Sequence, residues 1–250
     1  FGSYVEGFAL SPTLSPFLAP DAIGGGVVYE SDLAPDAAAI SEARAAFERV
    51  LTADGTGTGG EGFTSAWSAE GARDDGFMGA YSRVFDVTVL GRPGSTAASP
   101  RMSTLEAALF EGGRAVLIAP PVPPRSLGEV ITIAWNRSAE TARTIAFAMP
   151  LLKRARRIVL LAVEGGSVAG PGGEQVARYL EFHDLTCDLV HIKRESGVSV
   201  EPAILEHAAR NSSDLLIKGA FTQGRISQMI FGGASRHILA EATLPVLMAH

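Results

Sequence analysis

Two stretches of this chain recur at nearly the same interval. Asp86-Val-Thr-Val-Leu-Gly91 mirrors Asp214-Leu-Leu-Ile-Lys-Gly219 at an offset of 128 residues, and Ala115-Val-Leu-Ile-Ala119 mirrors Pro245-Val-Leu-Met-Ala249 at an offset of 130. A shared offset across a strand, a loop, a helix and a strand implies two copies of one folding unit. Between them lies Pro120-Pro-Val-Pro-Pro-Arg-Ser-Leu-Gly128, where proline removes ladder donors and keeps the chain extended. The expected division is residues 1–120, a linker at 121–128, and residues 129–250. With 250 residues and 46% hydrophobic content, the chain can furnish two cores of ordinary size.

The second copy is legible throughout. Short apolar runs at 129–135, 158–163, 186–192, 213–219 and 245–249 read as strands. They alternate with helical patterns at 138–153, 174–183, 199–210 and 234–242, the first carrying Ala142, Ile145, Ala146, Met149 and Leu152 at helical spacing behind a Ser138 cap. Strand–helix alternation implies right-handed crossovers and a doubly wound parallel α/β sheet with helices on both faces. The first copy starts late. Ser3 to Leu10 reads as its second strand, Pro35 to Leu51 as the next helix, Gly62 to Trp67 as strand three and Val84 to Gly91 as strand four. Its first strand and helix are missing from residues 1–120 and are expected upstream of Phe1. Stretches 11–30 and 53–61 read as long glycine- and proline-rich loops.

The run after the fourth strand carries the chemistry. Gly219-Ala-Phe-Thr222-Gln-Gly224-Arg-Ile-Ser-Gln-Met-Ile-Phe-Gly232-Gly233-Ala234-Ser235 joins a buried strand to a helix start, where unpaired N–H groups and the helix dipole favour an anion such as phosphate. This stretch resembles the end of a universal stress protein domain, whose ATP-binding members carry Gly-x2-Gly-x9-Gly followed by Ser or Thr. Gly219 and Gly232 fall on the first and last glycines. Thr222 replaces the second, and Gly233 stands at the hydroxyl position, with Ser235 two residues on.

The resemblance extends to Glu129-Val-Ile-Thr-Ile-Ala-Trp135-Asn136-Arg-Ser138, which looks like the family's opening strand and helix cap. There Asn136 replaces the aspartate that lines the adenosine pocket, and Val163 falls at the adenine-facing position. The resemblance implies two doubly wound five-stranded sheets of order 3-2-1-4-5. It also implies a degenerate adenine-nucleotide site, ATP with magnesium or another adenine nucleotide, at Trp135, Asn136, Val163, Gly219, Thr222, Gly224, Gly232, Gly233, Ala234 and Ser235. A β-branched Thr222 where positive φ or close phosphate approach is needed costs on the order of 1 to 3 kcal/mol. Gly224 can take over by a loop shift, with Thr222 and Ser235 as hydroxyl donors. In the first copy Arg92-Pro93-Gly94-Ser95-Thr96 lacks the glycine spacing, and Gly112-Gly113 ends a helix.

Other functions find little support. A net charge of −6 and a pI near 5.4 argue against a nucleic-acid surface, and the basic run Lys153-Arg-Ala-Arg-Arg157 complements a helix end. The single Cys187 excludes an internal disulfide and suits a reducing, cytoplasmic setting. No apolar run approaches the roughly 18 residues needed to span a bilayer, and no signal peptide is read at the start. The five histidines, His183, His191, His207, His237 and His250, lack metal-ligand spacing, and no serine sits in a nucleophile elbow. No catalytic or metal residue is therefore expected.

Three readings follow: a nucleotide-binding stress-response protein, a nucleotide-free member of the same family acting by protein association, and an enzyme on the same fold. The enzyme would need a Ser-Gly-Gly loop or His-x-Gly-His, and neither occurs. The final strands 115–119 and 245–249 are expected to pair with each other, or with those of a second chain, because each would otherwise leave a bare sheet edge.

Overall fold

The computed structural model describes residues 2–10, 18–20, 26–28, 37–52, 64–68, 74–94, 100–164, 168–193, 199–220 and 233–250. The chain divides into two compact units, Phe1–Met78 and Gly79–His250.

In the first unit, β1 (Tyr4–Gly7) and β4 (Thr64–Trp67) form a two-stranded parallel pair. Between them in sequence come β2 (Leu18–Pro20), β3 (Gly26–Val28) and α1 (Ala37–Thr52), and α2 (Asp75–Tyr81) begins after β4. Stretch 11–30 is thus not all loop: β2 and β3 pair antiparallel, a short hairpin that its Pro and Gly content concealed. Stretch 53–61 lies outside the described residues. α1 is held through Phe47, whose ring lies 5.5 Å from that of Trp67. Gly7 is required where they meet, since a Cβ there would lie 2.8 Å from Phe47 and 2.9 Å from Trp67. Among the described residues β1 pairs with β4 alone and is not at a sheet centre.

The second unit is one seven-stranded sheet. After α2 come β5 (Val87–Gly91), α3 (Met102–Glu111), β6 (Ala115–Ala119), β7 (Val130–Trp135), α4 (Ala139–Leu152), β8 (Arg157–Glu164), α5 (Gly173–Glu181), β9 (Asp188–Lys193), α6 (Glu201–Arg210), β10 (Leu215–Gly219), α7 (Gly233–Glu241) and β11 (Val246–Ala249). The strand order is β5-β6-β11-β10-β7-β8-β9. Within it β9-β8-β7-β10-β11 is the expected order 3-2-1-4-5, all parallel. β7 is central, which is why all six of its residues are buried and its sequence shows no polar alternation. One face of the sheet packs Ile131, Ile133, Leu160, Leu215 and Ile217 against Ile145, Ala148 and Leu152 of α4 and Val176 and Leu180 of α5. α3 ends at Gly112, and Gly113 adopts φ +63, as the paired glycines suggested.

β6 and β11 pair with each other, antiparallel, with Val246 opposite Ile118, Leu247 opposite Leu117 and Met248 opposite Val116. Each of these strands is also paired on its other side, so neither edge is left for a second chain. The proline at 245 sits just before β11, and the pairing is centred on residues 246–248 as its missing donor requires.

Asp214, just ahead of β10, fastens the start of β7. Its carboxylate accepts from the N–H groups of Gly128 (3.0 Å), Glu129 (3.1 Å) and Val130 (3.0 Å). Burial alone would raise its pKa, but these bonds and one from the Ser126 hydroxyl outweigh burial and hold it below 3.8. A depressed carboxylate stabilises the fold above its unfolded pKa, and that contribution is lost as pH falls through the folded value. Asp214→Ala is therefore expected to cost about 1 to 2 kcal/mol near neutral pH, a modest figure because the carboxylate is only half buried. The gap between wild type and variant should close as pH drops below 3.8, which urea titrations at several pH values will read.

Candidate functional site

The expected site residues lie at the carboxyl ends of the central strands. Trp135 ends β7; its side chain is part of the core, and its indole N–H donates to the Pro171 carbonyl at 2.9 Å. Val163 is buried near the end of β8, paired with Ile192. Gly219 ends β10, and α7 begins at Gly233, with Ala234 and Ser235 in its first turn. Thr222, Gly224 and Gly232 lie outside the described residues.

Asn136 and Gly219 are joined through the start of α4. The Asn136 Oδ1 accepts from the Thr141 hydroxyl at 2.7 Å and from the Ser138 N–H at 3.2 Å. The Thr141 N–H donates to Ser138 Oγ at 3.1 Å, which caps the helix, and the Gly219 N–H donates to Thr141 Oγ1, also at 3.1 Å. One turn on, Thr144 Oγ1 donates to Glu140 O at 2.7 Å and accepts from the Ala249 N–H at 3.0 Å. Both threonines are fully buried. The first turns of α4 are thereby fixed to the ends of β10 and β11 by two hydroxyls rather than by apolar contact alone.

This approach explains Gly219. A Cβ there would lie 2.6 Å from Thr141 N and Oγ1 and 3.0 Å from the Glu140 carbonyl carbon. No side chain fits unless α4 retreats. Between Asn136 and Ser138, Arg137 has φ +69, the left-handed region that a β-carbon disfavours.

Three features escaped the sequence reading. Thr141 and Thr144 interrupt the apolar stripe of α4 at an i, i+3 spacing on its buried side, a readable signal of a hydroxyl contact. Lys218 is the one charged residue of the otherwise apolar strand Leu-Leu-Ile-Lys-Gly. It is only 7% exposed; its ammonium donates to Gly219 O at 3.1 Å. Burial lowers its pKa from 10.5 to about 8, with the Glu201 carboxylate of α6 pulling the other way. On β9, His191 Nδ1 lies 2.8 Å from Oε1 of Glu164 at the end of β8, and its Nε2 3.3 Å from Oε1 of Glu174 in α5.

Among the described residues no group of three His, Cys, Asp or Glu is placed to hold a metal, and no helix is long and apolar enough to cross a membrane. The thiol of Cys187 is pushed up in pKa by burial, then by Asp188 and Glu181, which favours its protonated form.

Comparison with known proteins agrees with this geometry. Residues 130–250 match the model of the universal stress protein family. A segment of 46 residues is 39% identical to the stress response protein NhaX of Bacillus subtilis (strain 168), covering 18% of this chain and 28% of that protein. The match thus spans less than a third of that curated relative. The crystal structure of a universal stress protein from Archaeoglobus fulgidus DSM 4304 is similar at a TM-score of 0.59, over 88% of this chain and 84% of that one. At 17% identity this likeness speaks for the fold alone. Strand order, capped first helix, glycine at the end of β10 and family match converge: residues 130–250 of this chain belong to the universal stress protein family.

Proposed function

We propose that the domain formed by residues 129–250 binds one adenine nucleotide, ATP with magnesium foremost, and that residues 1–120 hold a degenerate second copy without a site of its own. Family membership supports a stress-response role, and nothing in the chain calls for catalysis. The observation that carries the nucleotide reading is the junction of β10 and α7: a glycine-ended central strand, then the first turn Gly233-Ala234-Ser235, whose N–H groups have no partner within the helix. Asn136, fixed at the end of β7 by Thr141 and Ser138, stands on the neighbouring strand as the polar group for the sugar.

The test is thermal unfolding with and without millimolar ATP and magnesium. A bound nucleotide stabilises by mass action, about 2.7 kcal/mol at one hundred times its Kd, so the melting temperature rises with ATP. If a glycine is needed at 222 for close phosphate approach, Thr222→Gly should tighten binding roughly 10- to 100-fold, the equivalent of about 1 to 3 kcal/mol. Gly232→Val should abolish the shift.

A second reading, association without nucleotide, draws on a specific observation. Gly219 is already required by the packing of α4, and Asn136 by the capping of it, so neither residue needs a ligand to explain it. No melting shift at millimolar ATP in either wild type or Thr222→Gly favours this reading.

A further inference from the structure

Resting on the nucleotide reading above, we propose that Lys218 is a further binding residue of that site, its ammonium supplying a fixed positive charge to the phosphate chain of a nucleoside polyphosphate held between the end of β10 and the start of α7.

The face of the sheet on which Lys218 lies follows from the strand's period of two. Leu215 and Ile217 pack with α4 and α5, so Leu216 and Lys218 lie on the opposite side of β10. The chain passes from β7 through β8 to β9 at one edge of the sheet, then returns to β10 and moves on to β11. Right-handed crossovers therefore set α6 and α7 on the side away from α4 and α5, and these two helices pack on each other there. Val163 shares that face, because its neighbour Ala162 stands opposite Trp135, which belongs to the α4 side. Lys218 is thus on the side of α7, whose first turn carries the N–H groups for phosphate.

One bond gives the direction of the side chain. The ammonium donates to Gly219 O at 3.1 Å, so the chain of methylenes bends forward to the carboxyl end of β10 rather than back along it. Ligands of parallel α/β sheets bind at that end. The setting is apolar: Lys218 is 7% exposed, and its strand neighbours are Ala134 of β7 and Met248 of β11. Glu201, in the first turn of α6, is the charged group that acts on its titration, and burial outweighs that pull. A methionine would fill the same place at lower cost to the fold. A charge that destabilises the fold beside an anion seat is the pattern of a ligand-binding group, and away from water it attracts phosphate more strongly than a surface lysine does.

The experiment measures the Kd of ATP and of adenosine by calorimetry for the full chain and for Lys218→Met, together with melting temperatures and a pH series for ATP. The expected variant melts higher yet binds ATP about tenfold or more weakly, with its affinity for adenosine unchanged. Wild-type affinity for ATP should fall as pH rises through about 8 and the ammonium loses its proton, while that of the variant stays level. A merely structural lysine would move ATP and adenosine together. Equal weakening of both ligands, undiminished ATP affinity in Lys218→Met, or pH profiles that coincide would each overturn the inference while leaving the nucleotide reading in place. Absence of ATP binding in both proteins would overturn that reading and this inference with it.

Discussion

Gly219→Ala is expected to destabilise the Gly79–His250 unit by about 3 kcal/mol or more, one of the two largest single-residue effects in the fold. The added methyl would sit 2.6 Å from a backbone nitrogen and a hydroxyl of Thr141, in the first turn of a helix that Thr144 also ties to β11. Neither atom is the end of a flexible side chain, so relief requires α4 to move off the sheet. That movement breaks the bond from the Gly219 N–H to Thr141 and loosens Ile145 and Ala148 in the core. The measurement is the urea midpoint of the variant. Thr141→Val serves as comparison: it removes the hydroxyl but keeps the shape, and should cost about 1 to 2 kcal/mol. If Gly219→Ala costs less than Thr141→Val, the account of close helix–strand approach is wrong.

The second large effect is a gain. Lys218→Met is expected to stabilise the same unit by about 2 to 3 kcal/mol at neutral pH, because the native chain buries an ammonium at the end of β10. The sign follows from the proton count. The folded pKa is about 8 and the ordinary one 10.5, so between those values the unfolded chain binds more protons and native stability rises with pH. Below about 8 the lysine is charged in both states and the full cost is borne; above 10.5 it is neutral in both and the cost vanishes. The advantage of methionine should therefore be flat below pH 8, shrink through pH 9 and nearly vanish by pH 10.5. A variant no more stable than wild type at pH 7 would show that Glu201 and the bond to Gly219 O compensate the burial fully.

The alternation of strands and helices over residues 129–250 was legible because each central strand is a largely apolar run bounded by an amphipathic helix, their order came from the family resemblance, and the pairing of β6 with β11 was legible because both runs are too apolar to stand at an edge. The hairpin of β2 and β3 was not. Its strands are three residues each, set among prolines and glycines that mask a period of two. The joining of β5 and β6 to the other strands in one sheet follows from edge pairing, which repeat offsets alone do not specify.

In the candidate site, glycine spacing drew attention to Gly219 for a phosphate, whereas its immediate reason in the fold is the approach of α4. The threonines that make that approach specific looked like ordinary helix residues, since a hydroxyl's partner on a distant strand is a tertiary fact. Lys218 hid for the converse reason: one charge in an apolar strand is visible, but its burial depends on the helices packed over it.

Equilibrium dialysis of the purified chain against labelled ATP with magnesium tests the nucleotide reading most directly, because it counts sites. The account predicts saturation at one nucleotide per chain, tighter in Thr222→Gly and absent in Gly232→Val. No retained nucleotide at millimolar ATP in wild type and in Thr222→Gly, or binding that persists undiminished in Gly232→Val, would contradict it.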